Sequence, residues 1–114
     1  MRTSSPRPEV ALEPLQVIAA PQRLRILGLI WDRELAAGDI AAQFEVSWSA
    51  VSQHLTVLRT AGFVVERRAG RSRLYRADPA ALGSLRSIVE EHWRTGLHRI
   101  KDLAEAEQAD RDRT

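Results

Sequence analysis

Short polar side chains recur along one face of a predicted helix that begins near Ser47, and this pattern is typical of a surface that reads DNA bases. At 100° per residue, Ser49, Gln53 and Thr56 lie opposite an apolar stripe. A glutamine amide both donates and accepts hydrogen bonds, which suits adenine in the major groove. Short hydroxyl side chains let a helix approach the groove floor. We predict that Gln53 contacts a base, the alternative being a solvated helix surface.

A run of basic residues follows this helix. Between Arg59 and Arg76 the chain has six arginines and one acid, a local charge of +5, whereas the whole chain carries +2. Such a patch indicates a polyanionic partner at one place. Arg71 and Arg73 flank a glycine turn, where they can bind phosphates or enter a minor groove. The alternative is a solubilising hairpin. The predicted DNA-contacting residues are Ser47, Ser49, Ser52, Gln53, His54, Thr56, Arg59, Arg67, Arg68, Arg71 and Arg73.

Two further side chains of this helix, His54 and Trp48, each allow two interpretations. His54 lies beside the apolar stripe, so it is either half-buried and hydrogen-bonded within the fold or in contact with a phosphate. Trp48 begins the helix, where a small or polar residue is expected. We favour its folding back onto the preceding helix over stacking against a sugar–phosphate edge.

Four helices are predicted before the hairpin. Apolar residues at helical spacing predict a short helix within residues 11–20, regular mainly after Pro14, and a second helix that Pro21 opens. A third helix of roughly two turns begins near Ala37. Ser47 suits the N-cap of the fourth helix, and Gly62 suits the left-handed position that ends it.

Two short strands and a long helix complete the predicted fold. Segments 63–69 and 73–77 flank a turn with Gly70 near its tip. Asp78-Pro79 combines an N-cap with a first-turn proline, so a long helix is expected to start there and to fray beyond about Gln108. The fold class is mainly α, a winged helix-turn-helix of about five helices plus a two-stranded β-wing.

The apolar seam of the last helix is large for a small body, which favours contact with a second copy over an intramolecular core. We expect the last helix to meet its copy in a homodimer, through Leu85, Val89, Trp93, Leu97 and Ile100.

Length and composition predict one globular domain. We expect a mobile tail at residues 1–9, a DNA-binding and dimerisation domain at 10–108, and a polar tail at 109–114. No apolar run is long enough for a bilayer and no signal segment begins the chain, so a cytoplasmic protein with no membrane partner is expected. The absence of cysteine excludes disulfides and thiolate metal sites.

The segment SWSAVSQHLTVLRTAGFVVERRAGRSRLYRAD resembles the signature of the ArsR-type (arsenical-resistance repressor) winged helix-turn-helix regulators. The segment PQRLRILGLI is similar to their second helix, and the last helix with its leucines and tryptophan also fits. The resemblance covers roughly residues 11–104. It implies a homodimer built on the first and last helices, which places Leu12 and Leu15 of the first helix in the interface. It also implies operator binding and transcriptional repression that a ligand usually relieves.

The chain departs from the metal-sensing members of the family that it resembles. Their thiolate site needs cysteines. Their alternative site pairs an acid and a histidine with a histidine or acid about ten residues later. Glu90 and His92 would supply the first half, but Asp102 and Glu105 would complete it without a histidine, and His98 is out of step. We predict no metal site and no cofactor. The resemblance is to a cysteine-free branch of the family, whose inducers are often unknown or absent.

These observations predict a DNA-binding transcriptional regulator, a homodimeric repressor that binds an inverted-repeat operator in double-stranded DNA, with a possible unknown inducer. An activator would have the same DNA-reading surface. No catalytic constellation occurs in the sequence, so no enzyme is expected. One alternative is a metal- or small-molecule-responsive sensor repressor. Another is a winged-helix protein-interaction module, antitoxin-like or an adaptor.

Overall fold

The computed structural model describes residues 13–95 and 99–112, with backbone only for 99–103 and 111. In these ranges helices precede and follow a small sheet, which confirms the predicted mainly α fold with a wing. In chain order the elements are α1 (Pro14–Ile18), α2 (Pro21–Leu29), β1 (Leu35–Ala36), α3 (Ala37–Ala41), α4 (Trp48–Thr60), β2 (Val64–Ala69), β3 (Ser72–Ala77), a 3₁₀ turn (Pro79–Leu82), α5 (Leu85–Thr95) and α6 (Arg99–Asp112).

The apolar stripe of α4 fixes which side of that helix faces outward. Val51, Leu55 and Leu58 are buried against α2, α3 and the start of β2, in the core formed with Ile26 and Ile40. Burying each such side chain contributes about 1.5–3 kcal/mol. The opposite, polar face of α4 is therefore left to solvent, as the helical spacing predicted.

The sheet is antiparallel, with strand order β1-β3-β2. β2 and β3 form the predicted hairpin, which is the wing, and Arg68 pairs with Arg73 near its tip. Gly70 has φ 62° there, a left-handed conformation that glycine adopts without strain. The sequence did not predict β1, in which Leu35 pairs with Tyr75. Two residues are too few to show a strand period.

The predicted start of the last helix at Asp78 is wrong. Asp78 makes no side-chain cap bond, and the residues after it form only the 3₁₀ turn. Gly83 follows with φ 58°, which an α-helix does not sustain, so α5 begins at Leu85. At the other end, α6 runs to Asp112, beyond the fraying predicted near Gln108.

The residues predicted for a dimer interface lie in different environments. Val89 is 0% exposed in the single chain, and Trp93 is half-buried with its ring edge-on to Trp31, 4.8 Å between centroids. Leu15 and Leu85 are half-buried. The remaining predicted positions fall outside the described residues or side chains: Leu12, Leu97 and Ile100.

The second half of the C-terminal region packs back onto the first helix. α6 contacts α1, where Gln16 Nε2 donates to Gln108 Oε1 at 2.8 Å. Ala104 is buried at this contact. No helix in the described part of the chain is long and apolar enough to cross a membrane.

Candidate nucleic-acid interface

Helix α4 presents the predicted base-reading residues on one exposed surface. Ser47 Oγ accepts a hydrogen bond from the Ala50 amide at 3.1 Å, which is the predicted N-cap and fixes where the helix starts. One and two turns later, Ser52 and Thr56 are exposed, and the Thr56 hydroxyl donates to the Ser52 carbonyl at 3.0 Å. Capping and helix bonds thus already occupy two of the predicted hydroxyls, Ser47 and Thr56.

Gln53 is the polar side chain best placed to read a base. It is exposed, and within the described residues its amide forms no hydrogen bond. Ser49 is exposed one turn earlier on the same face, also without a side-chain bond to described residues. Both the donor and the acceptor of Gln53 are thus available to an adenine edge.

The arginines near the wing differ in their partners. Arg67 forms a bidentate pair with Glu34 at 2.7 and 2.8 Å. Arg73 pairs with Glu66 at 3.0 Å. Arg68 forms no ion pair with any residue that the structure describes, and the same holds for Arg71 in the turn. Arg68 and Arg71 are therefore more available to phosphates than Arg67 and Arg73.

Glu66 connects the wing to the end of α4. Its carboxylate accepts from the Tyr75 hydroxyl at 3.2 Å and lies 3.8 Å from Arg59 Nε as well as beside Arg73. Burial, and then the charge of Glu66, raises the pKa of Tyr75, so the phenol stays protonated as a donor. This one acid therefore holds both Arg59 and Arg73 at the junction between α4 and the wing.

Glu34 has a similar place on the outer side of the wing. The hydrogen bond from Arg67 lowers the pKa of Glu34, so the carboxylate stays charged and keeps its partner. Arg67 extends from β2 and Glu34 precedes β1, so the pair fastens the two outer strands across β3. A DNA contact by Arg67 would require this pair to open.

His54 has a partner inside the fold. Its Nδ1 lies 3.3 Å from Arg23 Nη1, and Arg23 also donates to the Val17 carbonyl at the end of α1. Burial, and then the positive charge of Arg23, lowers the pKa of His54. The ring is consequently neutral at pH 7, with Nδ1 as the acceptor. This contact joins α4 to α1 and α2, and a phosphate contact by His54 stays a prediction.

Trp48 was left aside in the choice of DNA-contacting residues, yet it forms part of this surface. It is 56% exposed at the first position of α4, with its ring edge beside Gly38 of α3. The ring forms one side of a groove of about 350 Å³ that runs between α4 and the wing. The groove is lined by Ala36, Ala37, Gly38, Trp48, Arg71, Ser72, Arg73 and Tyr75. An aromatic residue at the first helical position was the signal in the sequence.

The acids and histidines considered for a metal do not assemble in the described residues. No group of three or more His, Asp or Glu side chains there is close enough to hold an ion. Glu90 instead pairs with Arg86 at 3.2 Å. The side chains of His98 and Asp102 lie outside the description.

Comparison with known proteins gives concordant matches. The family model "Bacterial regulatory protein, arsR family" matches residues 20–65. The HTH-type transcriptional regulator Rv2034 of Mycobacterium tuberculosis is 38% identical over 95 residues, 83% of this chain and 89% of that protein. A transcriptional repressor SmtB homolog of Synechocystis is 37% identical over 79 residues, 68% of this chain and 60% of that protein. The crystal structure of a possible transcriptional regulator for arsenical resistance matches with a TM-score of 0.63 and 38% identity, covering 84% of this chain and 97% of that one.

Proposed function

The chain belongs to the arsR family of bacterial regulatory proteins and is a DNA-binding transcriptional regulator, not an enzyme; from this premise we propose that it is a homodimeric repressor of an inverted-repeat operator. The observation that carries the proposal is the position of the Gln53 amide on the exposed face of α4, beside Arg68 and Arg71 of the wing; none of the three is bonded to a side chain that the structure describes.

In this proposal α4 enters the major groove. The helix has 13 residues and so is about 20 Å long, and a major groove about 12 Å wide admits a helix. Gln53 reads a base at the centre of the contact, while Ser49 and Ser52 bring the helix close to the groove floor. The buried stripe on the opposite side holds this orientation by packing.

The wing contributes affinity without sequence preference. Arg68 and Arg71 bind phosphates beside the groove, because neither has to give up an ion pair with an acid in the described part of the chain. Arg67 and Arg73 remain candidate contacts, but each must exchange a carboxylate partner for a phosphate. We therefore rank Arg71, at the tip of the hairpin, first among the phosphate contacts.

Two copies give the operator its symmetry. Leu15 of α1 and Leu85 of α5 are half-buried apolar side chains at the two regions where we propose the dimer forms. A two-fold axis there presents two α4 helices to successive major grooves, roughly 34 Å apart. The partners are thus double-stranded DNA and a second copy, and the regulator acts in the cytoplasm.

Selection of bound duplexes from a random pool tests the proposal. We expect enrichment of sequences with two inverted half-sites whose centres are about one helical turn apart. The variant Gln53→Ala, selected in parallel, should enrich a less defined half-site. A wild-type protein that enriches nothing and binds no duplex at low ionic strength would overturn the proposal.

A further inference from the structure

The three tryptophans of the chain are in different environments. Trp31 and Trp93 are half-buried and contact each other edge to face. Trp48 is 56% exposed, although hydrating a large apolar ring is unfavourable by roughly 25 cal/mol for each Å². In this position the Trp48 ring adds little to the protein's own hydrophobic core. An exposed aromatic ring beside Arg71, which forms no ion pair with the residues that the structure describes, indicates a contact surface.

The surroundings of Trp48 define what can occupy the groove beside it. Gly38 lies against one edge of the ring: a Cβ built there would meet Cζ3 at 3.8 Å, an ordinary contact. The backbone of α3 therefore supports the ring, and the same groove is lined by the ring and by Arg71 and Arg73. The occupant must combine an apolar surface with negative charge.

A DNA strand has both parts at the right places, a deoxyribose next to its phosphates. We propose that the groove between the start of α4 and the wing holds one strand of the duplex, with the Trp48 ring packed on a deoxyribose and Arg71 on an adjoining phosphate. This inference rests on the proposed function and extends it to a residue and a strand position. Trp48 thereby positions the backbone and reads no base.

Contact with a sugar has a signature of its own in binding measurements. It involves no base identity and no charge. Replacing Trp48 by alanine should therefore weaken binding to cognate and random duplexes equally, and leave the salt dependence of binding unchanged. The affinity lost on replacing Gln53 is expected to depend on the DNA sequence, whereas the affinity lost on replacing Arg71 is expected to depend on salt concentration.

The first experiment measures duplex affinity of Trp48→Ala by fluorescence anisotropy at several salt concentrations. We expect a loss of about fivefold to tenfold on both duplexes, near the lower end of aromatic stacking contributions. Val65→Ala is the matched control, because Val65 is 50% exposed on β2 and lies outside the groove. It should bind as wild type does. A loss confined to the cognate duplex, or a changed salt slope, would overturn the sugar contact.

The second experiment observes the ring directly in the wild-type protein, which avoids any folding defect of a variant. Labelling with 5-fluorotryptophan gives three ¹⁹F resonances, and Trp48→Phe assigns one of them. We expect the Trp48 resonance to shift on addition of duplex, and acrylamide quenching of the exposed tryptophan to fall. If duplex binds while that resonance and the quenching stay unchanged, the inference is wrong and the proposed function stands. If no duplex binds, both are wrong.

Discussion

At the scale of single residues, the wing arginines differ in the acids around them. From the sequence, each wing arginine carries the same charge, and four of them were predicted to contact DNA: Arg67, Arg68, Arg71 and Arg73. The structure places Glu34 and Glu66 against Arg67 and Arg73. Arg67 and Glu34 are 33 residues apart, so no local pattern reveals their pair, and the pair of Arg73 with Glu66, seven residues apart, depends on the register of the hairpin. The basic patch could be predicted, but the availability of its members could not.

Gln53 is expected to determine base preference. The substitution Gln53→Ala removes both amide hydrogen bonds and should cost about 1–3 kcal/mol at the selected operator, with little loss on random DNA. Competition binding with the two duplexes measures this difference. Gln22→Ala in α2 is the control, since Gln22 accepts from Arg25 away from α4. Equal losses on both duplexes would contradict base reading by Gln53.

Arg71 is expected to contribute a phosphate contact. Replacing it by alanine should weaken binding to every duplex and reduce the slope of log affinity against log salt by about one unit. Arg94→Ala removes the same charge from α5, where Arg94 pairs with Glu91 at 2.9 Å, and should leave the slope as in wild type. Parallel salt plots for Arg71→Ala and wild type would exclude the contact.

At the scale of elements, the N-cap of α4 stabilises the helix that carries the predicted base-contacting residues. Ser47→Ala removes the acceptor for the Ala50 amide and should lower the free energy of unfolding by about 1 kcal/mol. Chemical denaturation measures this loss. Ser49→Ala is the matched control: it removes an exposed hydroxyl from the first turn, and it should unfold close to wild type. Equal stabilities of the two variants would show that the cap contributes nothing.

The contact between α2 and α4 predicts a dependence of stability on pH. Burial and Arg23 lower the pKa of His54 below its ordinary 6.5, so the unfolded chain takes up the proton first as pH falls. The free energy of unfolding therefore falls as pH drops from about 6.5 through the lowered pKa, and the contribution is fully present above 6.5. His54→Gln keeps an acceptor for Arg23 and removes the titration.

Urea denaturation between pH 7 and about 5, above most carboxyl titration, tests this dependence. We expect the wild-type free energy of unfolding to fall more steeply across this range than that of His54→Gln. The comparison isolates His54, because the other histidines titrate in both proteins. Identical slopes would mean that His54 titrates in the folded protein as it does in the unfolded chain.

The elements that could be predicted are those with several independent local signals. Helix α4 has an apolar stripe, the Ser47 cap and Gly62, whose φ of 86° ends it as predicted. The start of the last helix had only the Asp78-Pro79 signature. There Gly83 and the packing of Leu82 produced a 3₁₀ turn instead. Strand β1 exists only because the edge of β3 is available to pair with it, which is a property of the assembled fold.

At the scale of the whole molecule, charge placement explains how a chain of net charge +2 binds a polyanion. Residues 59–76 have six arginines and one acid, a local charge of +5, so the rest of the chain carries −3 to give the net +2. DNA is therefore attracted to the one basic face of the protein. This distribution was evident from the sequence because the six arginines fall within 18 residues of the chain. In the proposed dimer, the two-fold axis sets which bases lie against that face.

The proposed dimer predicts a strict spacing of half-sites. If two α4 helices lie on one face of the duplex about 34 Å apart, inserting 5 base pairs between the half-sites rotates one to the opposite face. Affinity should fall to that of a single half-site, at least about tenfold. Inserting 10 base pairs restores the face but doubles the distance, so a rigid dimer should not recover. Analytical ultracentrifugation of the free protein measures its mass and so distinguishes a monomer from a dimer. A monomer, or equal affinity for all three duplexes, would refute paired recognition while leaving the contacts of each single α4 untouched.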